Sequence, residues 1–295
     1  MDFESKSVER LGSHFEITLL KGNEKVFDEC FEELKRIEEK FSRFLDTSIL
    51  SKVNSKLNEW QCIDSEFLFL VKTALEFKEK TKGNFDVTVK SALDSLGYDK
   101  NYSFKEKKQN KSLFSELKNI FASSVRIDEK NSKIYLTKEI EFGGFGKGYC
   151  LDRLSEIIES NDVFDYQING SGDIFAKKKE GSWNILLEHP DDSNKAIGKI
   201  ELNGRAIACS ASNRRRWGKN HHLINAKTGL PQNSVKTIFV LAKSGIEADG
   251  YATAVFTVGF EEGIKLSKNL PIDILLISDK NKMYKSEGFD AELFN

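Results

Sequence analysis

Asp249 and Thr253 stand four residues apart in the stretch Glu247-Ala248-Asp249-Gly250-Tyr251-Ala252-Thr253-Ala254, whose composition suits a helix. Residues at that spacing share one helix face, so the pair offers a carboxylate and a hydroxyl to the same point, donors suited to a hard cation such as Mg²⁺. A plainer reading stays open, in which Asp249 caps the helix and Thr253 packs. Upstream, Gly143, Gly144, Gly146 and Gly148 surround Lys147 where an apolar run gives way to a helical one, Tyr149 to Ile158. Glycine admits close backbone approach and a helix N-terminus carries partial positive charge, so the stretch reads as an anion cradle or as a tight turn. It is not a phosphate loop, because Gly148 rather than Ser or Thr follows Lys147, and it is not the dinucleotide G-x-G-x-x-G pattern.

Three further segments carry polar chemistry. Asn169-Gly170-Ser171-Gly172-Asp173 joins two strand-like runs, and Asn169 and Asp173 suit either hydrogen bonds to a nucleotide or a hairpin turn. Arg214, Arg215 and Arg216 precede Trp217, which suits contact with one phosphate or a flavin, or a solvated loop. His221 and His222 are adjacent, and neighbouring strand residues face opposite sides, so at most one of them points into a site. No second cluster at ligand spacing supports zinc.

The elements that must position these residues follow from periodicity. Gly12 to Leu20 alternates as a strand through Phe15, Ile17 and Leu19. Glu24 to Phe44 repeats apolar residues at three and four through Phe27, Cys30, Leu34, Ile37 and Phe41, which predicts a core-packing helix. A short capped helix or turn spans Asp46 to Asn54, and a second amphipathic helix runs from Ser65 to Lys82, with Gly83 as its stop. Asn84 to Val89 reads as a loop, Asn101 to Ser112 as a solvated loop, and Val125 to Leu136 as a hairpin delivering the chain to the glycine stretch. Strand signals follow at Tyr166–Asn169, Asp173–Ala176, Trp183–Glu188, Ala196–Leu202 and Arg205–Cys209, then Val235–Ala242 and Ile272–Ser278. Helices are expected at Glu247–Val258 and Glu261–Lys268, which makes the chain α+β with mixed or antiparallel sheets.

Composition narrows the classes. With 295 residues, 39% of them hydrophobic, and only three prolines, the chain reads as one compact unit without a linker. A net charge of −1 gives no global attraction for nucleic acid or anionic lipid. No apolar run approaches a membrane span and no signal core opens the chain, so a cytoplasmic setting is expected. Cys30, Cys62, Cys150 and Cys209 form no C-x-x-C pair and read as buried reduced thiols.

Taken in order, these segments resemble the ApbE family of FAD:protein FMN transferases, which also includes flavin-cleaving pyrophosphatases. The likeness runs from Leu11-Gly12-Ser13 through Phe41-Ser42-Arg43-Phe44, Gly83 to Val89, Gly143 to Asp152, Asn169 to Ile174, Ser210 to Arg215 and His221 to Pro231 to Ala248–Ala254. It implies one ApbE-like, T-fold-related domain of two intimate α+β lobes with FAD between them. Mg²⁺ would be bound by Asp249, Thr253 and the backbone carbonyl of Gly146, and a carbonyl ligand would explain why glycine replaces the family's usual alanine there. FAD contacts are implied at Gly12, Ser13, Phe85, Asp86, Lys147, Asn169, Gly170, Gly172, Asp173, Ser210, Arg215 and His222, with Asp249 and His222 as catalytic residues. His222 is the candidate for orienting an acceptor hydroxyl or moving its proton. The partner would be a protein flavinylated on Thr or Ser with release of AMP. If water attacks instead, the products are FMN and AMP, and a non-catalytic FAD binder is the third reading. Several positions depart from the pattern: Glu141 stands where aspartate is usual, Ser171 replaces a glycine, Ala211 and Asn213 replace Gly and Tyr, and Asn225-Ala226 replaces Asp-Pro. Without an aromatic at 213, a flavin contact there is not expected.

Overall fold

In the computed structural model of the chain, which describes residues 2–98, 103–104, 124–213 and 215–294, the alternation of Phe15, Ile17 and Leu19 becomes a strand with those three side chains fully buried. This is β2 (Ser13–Leu20), paired antiparallel with β1 (Phe3–Arg10). The sequence pattern does not single out β1, because it is a sheet edge with charged side chains and no fully buried face. Between the two, Leu11 and Gly12 adopt φ of 55° and 66°, the left-handed pair that a two-residue hairpin needs.

The chain continues as α1 (Glu24–Phe41), α2 (Ile49–Asn54), β3 (Trp60–Cys62), α3 (Ser65–Lys80) and α4 (Lys90–Leu96). α1 stops at Phe41 rather than Phe44 because Ser42 turns extended, with ψ of 123°. Asn84 to Val89 is not simply a loop. Asp86 Oδ1 accepts from the Thr88 N–H at 3.0 Å and its hydroxyl at 2.9 Å, and the resulting turn runs straight into α4. The solvated loop expected at Asn101 to Ser112 lies outside the described residues except at Ser103 and Phe104. Cys62 is exposed, against expectation, on the short strand β3, whereas Cys30 and Cys150 are buried.

After β4 (Val125–Asp128) and β5 (Lys133–Leu136) come α5 (Gly146–Ser160), β6 (Tyr166–Gly170), β7 (Asp173–Lys177), β8 (Trp183–His189), β9 (Asp192–Leu202), β10 (Arg205–Ala211) and β11 (Val235–Ala242). The remainder is α6 (Gly245–Val258), α7 (Phe260–Ser267), β12 (Asp273–Ser278), β13 (Met283–Lys285) and β14 (Glu292–Leu293). Eight strands form one sheet in the order β1-β2-β6-β7-β10-β11-β12-β13, every neighbouring pair antiparallel. The fold is α+β.

Burial explains the sequence patterns. Ile238, Val240, Ile274 and Leu276 face the main core with the helices, while Phe239, Leu241, Leu275 and Ile277 face a second core under the β14-β9-β8 sheet. Strands covered on both faces read as continuous apolar runs, whereas β2 alternates because one face is open. α6 is buried almost all round through Ile246, Ala248, Tyr251, Ala252, Ala254, Val255 and Phe256, so Asp249 sits on a helix with no solvent face to retreat to. Among the described residues no helix is long and apolar enough to cross a membrane.

Outside this core, Glu66 ties three helices. It takes two hydrogen bonds from Arg36, at 2.9 and 2.7 Å, one from Lys40 at 2.5 Å, and one from the Tyr149 hydroxyl of α5. Burial works against its ionisation, but these donors win and hold its pKa down to about 2. A depressed carboxylate stabilises the fold above its unfolded pKa and loses that contribution as pH falls through the folded value. Glu66→Gln is expected to cost about 1–3 kcal/mol at pH 7, shrinking as pH falls from about 4.5 toward 2, measured by urea unfolding across that range. A cost that does not change with pH would mean that the charge of Glu66 is not what binds the helices.

Candidate functional site

Helices α5 and α6 cross where both carry glycine. A Cβ on Gly148 would sit 2.0 Å from the carbonyl oxygen of Gly245, and one on Gly245 would sit 2.4 Å from that of Gly148, so the two backbones touch. Asp152 closes the contact one turn further along α5: Oδ1 accepts the Gly245 N–H at 2.5 Å and Oδ2 the Ile246 N–H at 2.9 Å, serving two of the orphan amides of α6. Burial pushes Asp152 up to about 6, against the pull of those two N–H groups.

The crossing brings Lys147 and Gly148 against Asp249. The Gly148 N–H donates to Asp249 Oδ2 at 3.0 Å and Lys147 Nζ donates to Oδ1 at 3.2 Å. Lys147 also pairs with Asp173, whose second oxygen accepts the Cys209 N–H at 2.9 Å. Asp249 and Asp173 are only 3% and 1% exposed. Burial lifts the pKa of Asp249 above the usual carboxylate range, against the pull of Lys147. For Lys147 burial acts downward, but the charges of Asp173 and Asp249 outweigh it and raise its pKa, so the ammonium is a fixed positive charge. The capping role open for Asp249 is taken by Ser244, whose Oγ accepts the Glu247 N–H at 3.4 Å. α6 therefore begins at Gly245, two residues before the expected Glu247, and Asp249 lies in its second turn.

A cavity of about 410 Å³ opens on this cluster. Gly146, Lys147, Asp249 and Thr253 line it from the crossing, Gly12 and Ser13 from the β1–β2 turn, and Phe85 and Asp86 from the segment after α3. Ser210, Arg215 and His222 complete the lining from the segment around and after β10. Arg215 Nη2 donates to the Gly12 carbonyl at 3.2 Å and to Ser13 Oγ at 3.4 Å, which holds the guanidinium at the cavity wall. Of the arginine run, Arg216 is exposed and Arg214 lies outside the described residues.

The histidines separate. His221 is buried, with Nδ1 accepting the Leu223 N–H at 3.2 Å and Nε2 at 2.9 Å from the Gln232 carbonyl, which assigns the neutral Nε2–H tautomer. Burial lowers its pKa further. His222 lines the cavity with its ring 6.1 Å from that of Tyr98.

Asn169, Gly170 and Gly172 lie outside the lining. Asn169 Oδ1 accepts the Gly172 N–H at 2.9 Å, Gly172 has φ of 100°, and Gly170 packs under Phe15, which together make the β6–β7 turn. Asp173 is buried behind Lys147 and reaches the cavity through it. Asn213 is exposed and bonds the Pro190 carbonyl at 3.0 Å.

Asp249 and Thr253 present oxygen atoms to the cavity, and among the described residues no group of three or more His, Cys, Asp or Glu side chains is placed to hold a metal. That set fits Mg²⁺, which takes one or two carboxylates and leaves places for phosphate oxygens and water. A Cβ on Gly146 would meet nothing within 4 Å, so alanine fits there and the side chain is not what the position requires. Sequence reasoning gave no site role to Arg43, Tyr98 or Glu141, which also line the cavity. Their one signal was the placing of an arginine between phenylalanines and of an acid before a glycine pair.

A model of the ApbE family matches residues 11–276. The FAD:protein FMN transferase of Buchnera aphidicola is 26% identical over 267 residues, 84% of this chain and 77% of the relative. That of Haemophilus influenzae is 26% identical over 285 residues, 90% of this chain and 82% of the relative. Among solved structures, the ApbE protein of Thermotoga maritima superposes with a TM-score of 0.91 at 26% identity over 98% of both chains. The flavin transferase ApbE of Vibrio cholerae, at 22% identity and 98% coverage of both, gives 0.85 and shows the likeness of fold.

The crossing makes a paired expectation. Gly148→Ala must push α6 away and is expected to cost about 1–3 kcal/mol in denaturant unfolding. Gly146→Ala, on the same helix but facing open space, is expected to be neutral or to stabilise by about 0.5–1 kcal/mol. Equal effects at the two positions would show that the glycine contact does not hold the helices together.

Proposed function

The chain belongs to the ApbE family, and from that premise we propose that it is a transferase that moves FMN from FAD to a Ser or Thr hydroxyl of an acceptor protein and releases AMP. The observation that carries the reading is the buried Asp173–Lys147–Asp249 cluster opening on a cavity rimmed by Arg215 and His222. Two carboxylates against one ammonium leave a local negative charge that a divalent cation complements. Asp249, Thr253 and the Gly146 carbonyl would hold Mg²⁺, which when bound withdraws charge from the bridging phosphates and favours AMP as the leaving group.

The chain's own residues do the rest. Lys147 keeps its proton and fixes the direction of Asp249 Oδ1, while the Gly148 N–H fixes Oδ2, so this carboxylate is pre-organised. Arg215, tethered to the Gly12 carbonyl, presents a guanidinium suited to a phosphate oxygen. His222 receives the proton of the acceptor hydroxyl as its oxygen bonds to the phosphorus on the FMN side. The bond from that phosphorus to the bridging oxygen breaks, and AMP departs with the electron pair. Water in place of the hydroxyl would give FMN and AMP by the same course.

Incubation with FAD, Mg²⁺ and a threonine-bearing flavoprotein subunit is expected to give AMP together with an acceptor heavier by one FMN. AMP without a modified acceptor would make the chain a pyrophosphatase, and neither product would overturn the reading. Asp249→Ala is expected to lower Mg²⁺-dependent turnover by roughly 100-fold or more, the scale of losing one pre-organised electrostatic group. His222→Ala is expected to keep FAD affinity and to lose roughly 10²–10⁴-fold in transfer, the usual worth of a general base. Unchanged transfer in the His222 variant would remove histidine from the mechanism.

A further inference from the structure

Glu141 lines the same cavity, yet no step above uses it. Only 7% of the residue is exposed. Its Oε2 accepts the Gly143 N–H at 2.8 Å and lies 3.9 Å from Arg43 Nε. Its Oε1 accepts no hydrogen bond among the described residues, and because Glu141 borders the cavity this oxygen is open to a donor from a ligand there.

The surroundings say what such a ligand must be. Arg43 is committed elsewhere, donating to Asp94 Oδ1 at 3.0 Å and to the Tyr98 carbonyl at 2.9 Å. Lys90 is held by Asp94 and Glu139, both at 3.0 Å. Of the described residues, Arg43 and Lys90 are therefore already engaged, so a phosphate or carboxylate here would meet the carboxyl of Glu141 rather than a free cation of theirs. The walls are flat: the Arg43 guanidinium lies 4.5 Å from the ring centre of Phe44 and 4.8 Å from that of Tyr98, and both rings border the cavity. Planar surfaces around one acceptor suit a heteroaromatic ring carrying an N–H.

We propose that Glu141 reads a planar heterocycle by accepting, at Oε1, an N–H from the edge of its ring, with Arg43, Phe44 and Tyr98 shaping the slot. The inference rests on the FAD reading, since FAD supplies two such edges, the imide N–H of the flavin and the amino group of adenine. It makes Glu141, longer by one methylene than the aspartate usual in the family, a specificity-determining residue.

The test measures Kd for FMN and AMP separately by calorimetry, on the wild-type chain and on Glu141→Gln. Glutamine can still accept the Gly143 N–H through its amide oxygen, but it turns an NH2 toward the ring N–H. One of the two ligands is expected to bind roughly 10- to 100-fold more weakly to the variant, the scale of a hydrogen bond to a charged group, and the other to be unchanged. Which one falls names the ring. On the wild-type chain, 3-methyl-FMN or N6,N6-dimethyl-AMP is expected to show the same loss, which keeps the test decisive if the variant does not fold. Equal affinity of both parent ligands for wild type and a folded variant, or methylated ligands binding the wild-type chain as well as their parents, would overturn the assignment. A wild-type chain that binds none of FAD, FMN and AMP would instead overturn the FAD reading beneath it.

Discussion

The contact between Gly148 and Gly245 is the constraint from which the rest of the site follows. Two helix backbones meet there without any side chain between them. Only at that distance can an amide of α5 reach a carboxylate of α6, and only there can Lys147 span Asp173 on the sheet and Asp249 on the helix. Two acids flank the crossing and divide the work. Asp152 caps the first amides of α6 and acts as a clamp, whereas Asp249 turns toward the cavity.

The electrostatics of the cluster suit function better than stability. Burying two carboxylates and an ammonium carries a desolvation cost that their mutual attraction only partly offsets, and a well-packed apolar substitute is often as stable. What the charged arrangement gives is direction: Asp249 has both oxygens held, by Lys147 and by the Gly148 N–H. Surface pairs such as Lys25 with Glu29, both substantially exposed, add little by comparison.

Rigidity comes from the sheet and from α6. Strands β10, β11 and β12 are buried on both faces, and α6 lies against β10 and β11 with almost no exposed surface. The rest of the cavity wall comes from short connections. The β1–β2 turn, the segment after α3 and the chain following β10 each bring a few residues to one cavity. Arg215 and Gly12 are joined there by a hydrogen bond although they lie far apart in the chain.

What the sequence alone determined is what depends on near neighbours. The three-and-four spacing in α1 and α3, the alternation of β2, and the shared helix face of Asp249 and Thr253 are local properties, and all were legible. The ordered set of short motifs also carried the family, because each motif keeps its spacing whatever the packing. The tertiary structure decided the questions that turn on partners distant in sequence. It chose His222 over His221 for the cavity through the bond of His221 to Gln232. It placed Asn169 and Gly170 at the end of β6 and Gly172 in the turn that follows, and left only Asp173 to reach Lys147. It also revealed Glu141 beside Arg43, two residues whose own neighbours give no hint that they meet. The physical reason is that a side chain's surroundings are set by which strands pair and which helices touch, and here that rests on two glycines, Gly148 and Gly245, whose closeness no local pattern announces.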